Sequence, residues 1–377
     1  MTDRLTQNLE VWSRTVGDGF VELSLEEASI AEPIDDELVI EVRAAPINPY
    51  DLRLMIGAAD PATAVAVGSR DRPVTRLRIP EVLGRTVQHN AAQSAHRVGT
   101  EGFGRVIGAG SDSEARALLG QSVAVWSSGT YSRYCKVRSS ECLPLPTSTE
   151  PAAGAGALLN PLTAQAMIET MRAEGCVALL NSAAGSNLGR ILRKLCRTDG
   201  IDLLNVVRNE AQAQAVRAEG ARHVCISSAP GFFEDLTACL RIVGPTLGFD
   251  AIGGGTLAGT LLSAMDAAKA HDPGGPDWRG LPSKVYIYGN LDSSPSIIGR
   301  GYSHSWCISG WTLPATLKSI GSQRVAQLKQ RIVTDLNTTF AAQYARTVSL
   351  SEMIAPQTIA ACARRSTGAK HLVDPWL

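Results

Sequence analysis

CVALLNSAAGSNLGRILRKLCRTDGIDLLNVVRNEAQ, residues 176–212, decides how this chain folds. It opens on an apolar run, Cys176 to Leu180, which has the length of a buried strand and is too short for a helix core. Asn181 to Asn187 follow as a turn of small residues, where a ligand can approach the backbone. Leu188, Ile191, Leu192 and Leu195 then recur at helical spacing, with Arg190, Arg193, Lys194 and Arg197 on the other face. Leu203 to Val207 form a second apolar run. Strand, tight turn, amphipathic helix and strand in this order make a βαβ unit, which places a pyrophosphate on a helix N-terminus.

The phosphate-binding pattern is incomplete. Where a dinucleotide turn has Gly-x-Gly-x-x-Gly, this chain has Ala184-Gly185-Ser186-Asn187-Leu188-Gly189 and keeps only the last glycine in register. Gly189 allows close helix-to-strand packing, and Ala184 and Ser186 are small enough to leave room for phosphates. The plain alternative is an ordinary βα turn in an α/β protein. Arg208 tips the balance, because it ends the second strand roughly twenty residues after Gly189, where an acidic residue would hold a ribose 2′-hydroxyl. An arginine there suits a 2′-phosphate, so NADP(H) is favoured over NAD(H).

The 377 residues are too many for one small core, so two domains are expected. Lys plus Arg and Asp plus Glu both number 36, which gives zero net charge and no basic field for nucleic acid. The first ten residues, Met1 to Glu10, carry charges and no apolar core, and no stretch approaches the ~20 apolar residues that span a membrane. A cytoplasmic protein is the expectation. Eight cysteines occur without a Cys-x-x-Cys or a histidine at ligand spacing, so structural zinc is not expected and the thiols read as reduced. Cys176, Cys225 and Cys307 sit inside apolar runs, as small buried hydrophobes do.

Residues 1 to about 160 read as β-rich, with short alternating segments punctuated by Gly and Pro. Ala58 to Arg97 stands out as a long stretch rich in Ala, Arg and Pro without strong periodicity, as a functional or mobile loop would be. From Pro161 onwards strands and helices alternate, which argues for a parallel sheet with helices on both faces. After Thr338 a short mixed segment, Phe340 to Leu377, is placed to rejoin the first domain.

These segments together resemble the medium-chain dehydrogenase/reductase superfamily, in its zinc-free branch of quinone oxidoreductases and 2-enoyl thioester reductases. The resemblance is carried by Glu41-Val-Arg-Ala-Ala-Pro-Ile-Asn48-Pro49-Tyr-Asp51, Val98-Gly-Thr-Glu-Gly-Phe-Gly-Arg-Val, Tyr131-Ser-Arg-Tyr134, Val207-Arg208-Asn209, Phe249-Asp250-Ala-Ile-Gly253-Gly254 and Tyr288-Gly289-Asn290. Asn160-Pro161-Leu162-Thr163-Ala164 is the most specific match. Zinc enzymes of the superfamily place Cys where this chain has Asn48 and His where it has Thr100, so no catalytic metal is expected. The enoyl thioester reductases also carry a Tyr shortly after the Gly that follows Asn-Pro-x-Asp. Here Ala58, Ala59 and Asp60 follow Gly57, so that tyrosine is missing and Tyr50 is the candidate substitute.

The fold class implied is α/β: a GroES-like β domain (1–160 with 339–377) and a Rossmann doubly wound parallel-sheet domain (161–338), with the cofactor in the cleft between them. Ala58 to Arg97 would form part of the lip of that cleft. The function implied is NADPH-dependent transfer of hydride to an activated C=C, in an enone or enoyl thioester, or to a quinone, without zinc. Asn48, Tyr50 and Thr163 are the candidate catalytic residues. Against them stand plainer roles: Asn48 capping a turn before Pro49, Thr163 capping a helix, Tyr50 packing. The implied cofactor contacts are Asn160, Ala184, Gly185, Ser186, Asn187, Leu188, Gly189, Arg208, Asn209, Ile252, Gly253, Tyr288, Gly289 and Asn290. Asp250 reads as structural at a strand end, and His304 as satisfied locally. Expected partners are a small-molecule substrate and a second copy of the chain in a homodimer, with no nucleic acid or membrane. The alternative function is a cofactor-binding, crystallin-like protein with little turnover.

Overall fold

A computed structural model describes residues 8–17, 19–81, 95–244, 246–270, 280–364 and 370–377. The chain divides into two compact units, residues 1–159 with 332–377, and residues 160–331.

The first unit holds two largely antiparallel sheets. In one, β1 (Asn8–Val16) and β2 (Phe20–Ala28) pair along their whole length as a hairpin. β4 (Val65–Ala66) and β5 (Val74–Arg78) extend it beyond β2, and β6 (Ala95–Arg97) lies on β1. The other is built on β3 (Glu37–Pro46), which pairs with β7 (Glu101–Ala109) and β9 (Tyr134–Arg138). β8 (Ser122–Trp126) and β10 (Cys142–Leu145) continue that sheet past β7. Gly104 of β7 lies at an irregularity of the β3–β7 ladder, and a Cβ there would stand 2.2 Å from the Glu41 carbonyl oxygen, so only glycine fits. Leu38, Ile40, Val42, Val106, Val123 and Val125 bury the inner side chains of these strands in one cluster.

Ala58 to Arg97 is not the structureless loop its composition suggested. It contributes a 3₁₀ turn (Pro61–Thr63), β4, β5 and β6, and buries Leu77 and Ile79 in the core. The reason is alternation that the arginines disguise. Thr75 and Leu77 face inward, while Arg76 and Arg78 cover the Phe20 ring at 5.5 and 5.7 Å and Arg76 pairs with Glu22. Residues 82–94 of that stretch lie outside the described residues.

The second unit is a six-stranded parallel sheet: β11 (Ala178–Asn181), β12 (Asp202–Val207), β13 (His223–Ile226), β14 (Thr246–Asp250), β16 (Ser283–Ile287) and β18 (Trp306–Gly310). Their spatial order is β13-β12-β11-β14-β16-β18. β15 (Gly253–Gly255) and β17 (Asp292–Ser296) form a small separate pair. Leu188, Ile191, Leu192, Leu195 and Cys196 bury one face of the helix Asn187–Asp199, each large side chain contributing about 1.5–3 kcal/mol. Gly200 ends that helix in the left-handed region at φ 68°. The helices Phe232–Val243 and Leu257–Ala270 bury Leu236, Leu240, Leu261 and Leu262 in one cluster with Leu180, Leu204 and Val285 of the sheet.

The chain then returns to the first unit, where β20 (Lys370–Val373) inserts between β3 and β19 (Tyr344–Val348). β20 runs antiparallel to β3 and parallel to β19. No helix among the described residues is long and apolar enough to cross a membrane.

Candidate functional site

From β11 the parallel sheet grows one way through β12 and β13 and the other way through β14, β16 and β18. The strand order therefore reverses between β11 and β14, which opens a crevice beyond their carboxyl ends. A knot of hydrogen bonds fixes those ends. The Ser182 hydroxyl donates to Asp250 Oδ1 at 2.6 Å and accepts from the Ala251 amide at 2.7 Å. The buried Asp250 carboxylate also accepts from the amides of Ile252 and Gly253 at 2.9 and 3.0 Å, so its work is structural. Gly253 takes φ +83°, and a Cβ on Gly289 would meet the Ala251 oxygen at 2.3 Å. Tyr288 donates its amide to Asp250 O and its hydroxyl to Asn181 Oδ1 at 3.2 Å; burial, with the nearby Asp250 charge, pushes its hydroxyl pKa up. Asn290 is exposed.

The small-residue turn sits at this crevice. Ser186 caps the helix Asn187–Asp199, its hydroxyl accepting from the Gly189 amide at 3.1 Å. Ala183 takes φ +53°, a conformation in which glycine is expected, and Ala184 is fully buried. Gly189 is obligatory, because a Cβ there would lie 2.2 Å from the Ala184 oxygen. Asn187 Oδ1 accepts from Arg190 at 2.5 Å. Arg193 corrects the reading of the helix as having a uniformly cationic outer face: it is only 8% exposed. Its guanidinium donates to the Ala184 carbonyl at 2.5 Å and to the Glu219 carboxylate, because a carbonyl turned inward by the irregular turn needs a donor.

Arg208 follows β12 and is exposed. Its amide donates to Gln212 Oε1 at 2.8 Å, while its guanidinium makes no hydrogen bond or ion pair among the described residues. Asn209 caps the next helix, Glu210–Ala218, accepting from the Gln212 amide at 3.0 Å. Asn160 and Thr163 lie within the helix Leu159–Ala173, so Thr163 does not cap it. Two buried amide nitrogens, Asn160 Nδ2 and Asn181 Nδ2, have no hydrogen-bond partner among the described residues. An unmet buried donor costs about 1–3 kcal/mol, which a ligand oxygen would recover. The small-residue turn at the reversal point, the exposed Arg208 and these two donors fit a phosphorylated dinucleotide.

The first unit contributes a buried polar cluster that sequence reading found only in part. Asn48 starts the helix Pro49–Ile56, and its amide N–H donates to Asp51 Oδ2 at 2.9 Å. Its side chain turns elsewhere, donating to Glu101 Oε1 at 2.7 Å and accepting from the Lys370 ammonium. Asp51 also accepts from Thr100 at 2.6 Å, and Glu101 from the Leu159 amide at 3.0 Å. Burial raises the pKa of Glu101 to about 7, with Lys370 partly opposing the shift, and raises that of Asp51. Tyr50 is not gathered into this cluster and is 54% exposed. Thr100, Glu101 and Asp51 lie inside the sequence motifs already quoted. Lys370 gave no local signal, because only the β3–β20 pairing brings it there. His304 is bound by Asp266 at 2.9 Å.

The two units have the fold of solved quinone oxidoreductases and enoyl reductases, a GroES-like unit with a Rossmann unit. A candidate NADPH:quinone reductase from Mesorhizobium loti shares it with a TM-score of 0.73 at 22% identity, over 98% of this chain and 99% of that one. Escherichia coli quinone oxidoreductase complexed with NADPH matches at 0.69 and 17% identity, over 97% and 100% of the two chains. In sequence, the chain is 27% identical over 219 residues to a mitochondrial enoyl-[acyl-carrier-protein] reductase of Caenorhabditis elegans. That match spans 56% of this chain and 54% of the relative. No family profile matches the chain.

Proposed function

We propose that this protein is an NADPH-dependent reductase that delivers hydride to an activated C=C, in an enone or enoyl thioester, or to a quinone, without zinc. The observation that carries the reading is the exposed guanidinium of Arg208 at the end of β12, unpaired among the described residues and next to the crevice at the sheet's reversal point. NADPH supplies the hydride when bound, so the chain's own task is to hold and orient. Ser186 and the first amides of its helix receive the pyrophosphate, and Arg208 receives the 2′-phosphate. Asn160 and Thr163 would offer polar contacts to the bound cofactor, and Tyr50, open to solvent, is the proposed proton donor.

The polar cluster of the first unit supports the zinc-free reading by what it contains. The Lys370 ammonium is bonded to Asn48, and Thr100 is bonded to Asp51, where zinc enzymes of the superfamily would offer thiolate and imidazole. A cation on the site disfavours another. The reading also takes the protein as a homodimer, supported by the exposed apolar side chains of Ile297, Ile298 and Trp306, the last on edge strand β18.

The test is NADPH oxidation followed against a panel of quinones, enones and enoyl thioesters. Turnover of one acceptor class, with little when NADH replaces NADPH, is expected. Tight NADPH binding with no acceptor reduced would instead favour a cofactor-binding protein with little turnover.

A further inference from the structure

Two cysteines with no part in the proposed reduction lie sulfur to sulfur in the Rossmann unit. Cys225 is buried on β13, and Cys239, on the helix Phe232–Val243, is partly open to solvent. The Cys225 thiol donates to the Cys239 sulfur across 3.9 Å. A disulfide spans about 2.05 Å, so closing the gap asks for a movement of about 2 Å shared by two side chains.

The two thiols differ in reactivity. The hydrogen bond from Cys225 draws the pKa of Cys239 down, helped by the nearby imidazole of His223 and opposed by burial and by Asp235 one turn earlier. The same hydrogen bond, together with burial, pushes the Cys225 thiol up. A partly exposed thiolate beside a buried, protonated thiol is the arrangement of an attacking and a resolving cysteine.

We propose that Cys239 and Cys225 form a reversible redox modification site that closes to an intramolecular disulfide on reaction with hydrogen peroxide. The Cys239 thiolate attacks the peroxide oxygen; an S–O bond forms, the O–O bond breaks, and hydroxide leaves to take up a proton. Cys225 then attacks the resulting sulfenic acid, losing its proton as the S–S bond forms and water departs. The two thiols are oxidised by two electrons and the peroxide is reduced to two waters. The bond would tie the helix Phe232–Val243 to β13, whose neighbour in register is β12 (Val206 opposite Cys225), the strand that ends at Arg208. The Ser227 amide, just past β13, already donates to the Val207 carbonyl at 2.8 Å.

The experiment exposes the full chain to hydrogen peroxide, blocks remaining thiols by alkylation, and maps the digest by mass spectrometry. A linked pair of peptides containing Cys225 and Cys239, released by dithiothreitol, is expected before the half-buried Cys307 is modified. In Cys225→Ser a dimedone-trapped sulfenic acid should accumulate at Cys239. In Cys239→Ser, oxidation of Cys225 should slow by about 10-fold or more, since no low-pKa thiol starts the reaction. Cys225 and Cys239 remaining free after Cys307 has been oxidised would overturn the proposal, a result that needs no variant to fold. An unchanged rate of Cys225 oxidation in Cys239→Ser would also overturn it.

Discussion

The guanidinium of Arg193 reaches back along its own helix to donate to the main-chain carbonyl of Ala184, 2.5 Å away, and also binds the Glu219 carboxylate. In a turn that lacks two of three glycines, this side chain holds the backbone that glycines would otherwise leave free to fold back. Arg193→Met should lower the unfolding free energy by about 1–3 kcal/mol, the cost of leaving a buried carbonyl unmet. Because the turn loosens as a whole, NADPH and NADH should weaken by the same factor in calorimetric titrations. A loss confined to NADPH would mean that Arg193 reads the 2′-phosphate.

Arg208 should behave in the opposite way. A charge-assisted hydrogen bond contributes ~1.5–3 kcal/mol, so Arg208→Ala should weaken NADPH by about 10-fold to 150-fold and leave NADH nearly unchanged. Arg208→Asp should go further, repelling the phosphate while offering the ribose hydroxyls an acceptor. Equal losses for both cofactors would show that Arg208 is structural.

Gly189→Ala places a Cβ 2.2 Å from the Ala184 oxygen and 2.9 Å from its Cα, against backbone that Arg193 and the Val206 carbonyl both hold. The helix N-terminus must move away from the strand. Destabilisation of about 1–3 kcal/mol, typical of overpacking, is expected in denaturant unfolding, with both cofactors weakened. Unchanged stability would show that the turn is looser than its contacts imply.

Glu101 gives a pH signature. Its folded pKa is raised to about 7 from an ordinary 4.5, chiefly by burial, so between those values the folded state keeps a proton that the unfolded state releases. Stability from this group is fully present below pH 4.5 and lost as pH rises to about 7. The loss amounts to about 3 kcal/mol. Glu101→Gln cannot ionise, and its unfolding free energy should lack that component. Parallel pH profiles for wild type and variant across this window would refute the assignment.

How far the sequence carried the reading follows from the range of each interaction. The βαβ unit was legible because its apolar spacings are local, and the helix Asn187–Asp199 buries the Leu188, Ile191, Leu192 and Leu195 stripe read from its pattern. Asn48 was noticed through its motif, yet the partners that orient it, Glu101 and Lys370, come from strands far apart in the chain. β5 was hidden because Arg76 and Arg78 cover an aromatic ring, which hydropathy reads as loop. Arg193 was misread because nothing local distinguishes a buried arginine at helical spacing from a solvated one.

The insertion of β20 between β3 and β19 bears on the order in which the molecule is completed during synthesis. Residues 160–331 are contiguous and can close their parallel sheet as soon as they have emerged. The first unit is made first and finished last, because β3 keeps an unpaired stretch at Ala45 and Pro46 until Val373 and Leu372 arrive. Until then Asn48 also lacks the Lys370 ammonium, and the buried carboxylates of Asp51 and Glu101 lack the nearby positive charge that eases their ionisation. Assembly of that polar cluster therefore waits on the last strand, at a loop-closure cost set by more than three hundred intervening residues.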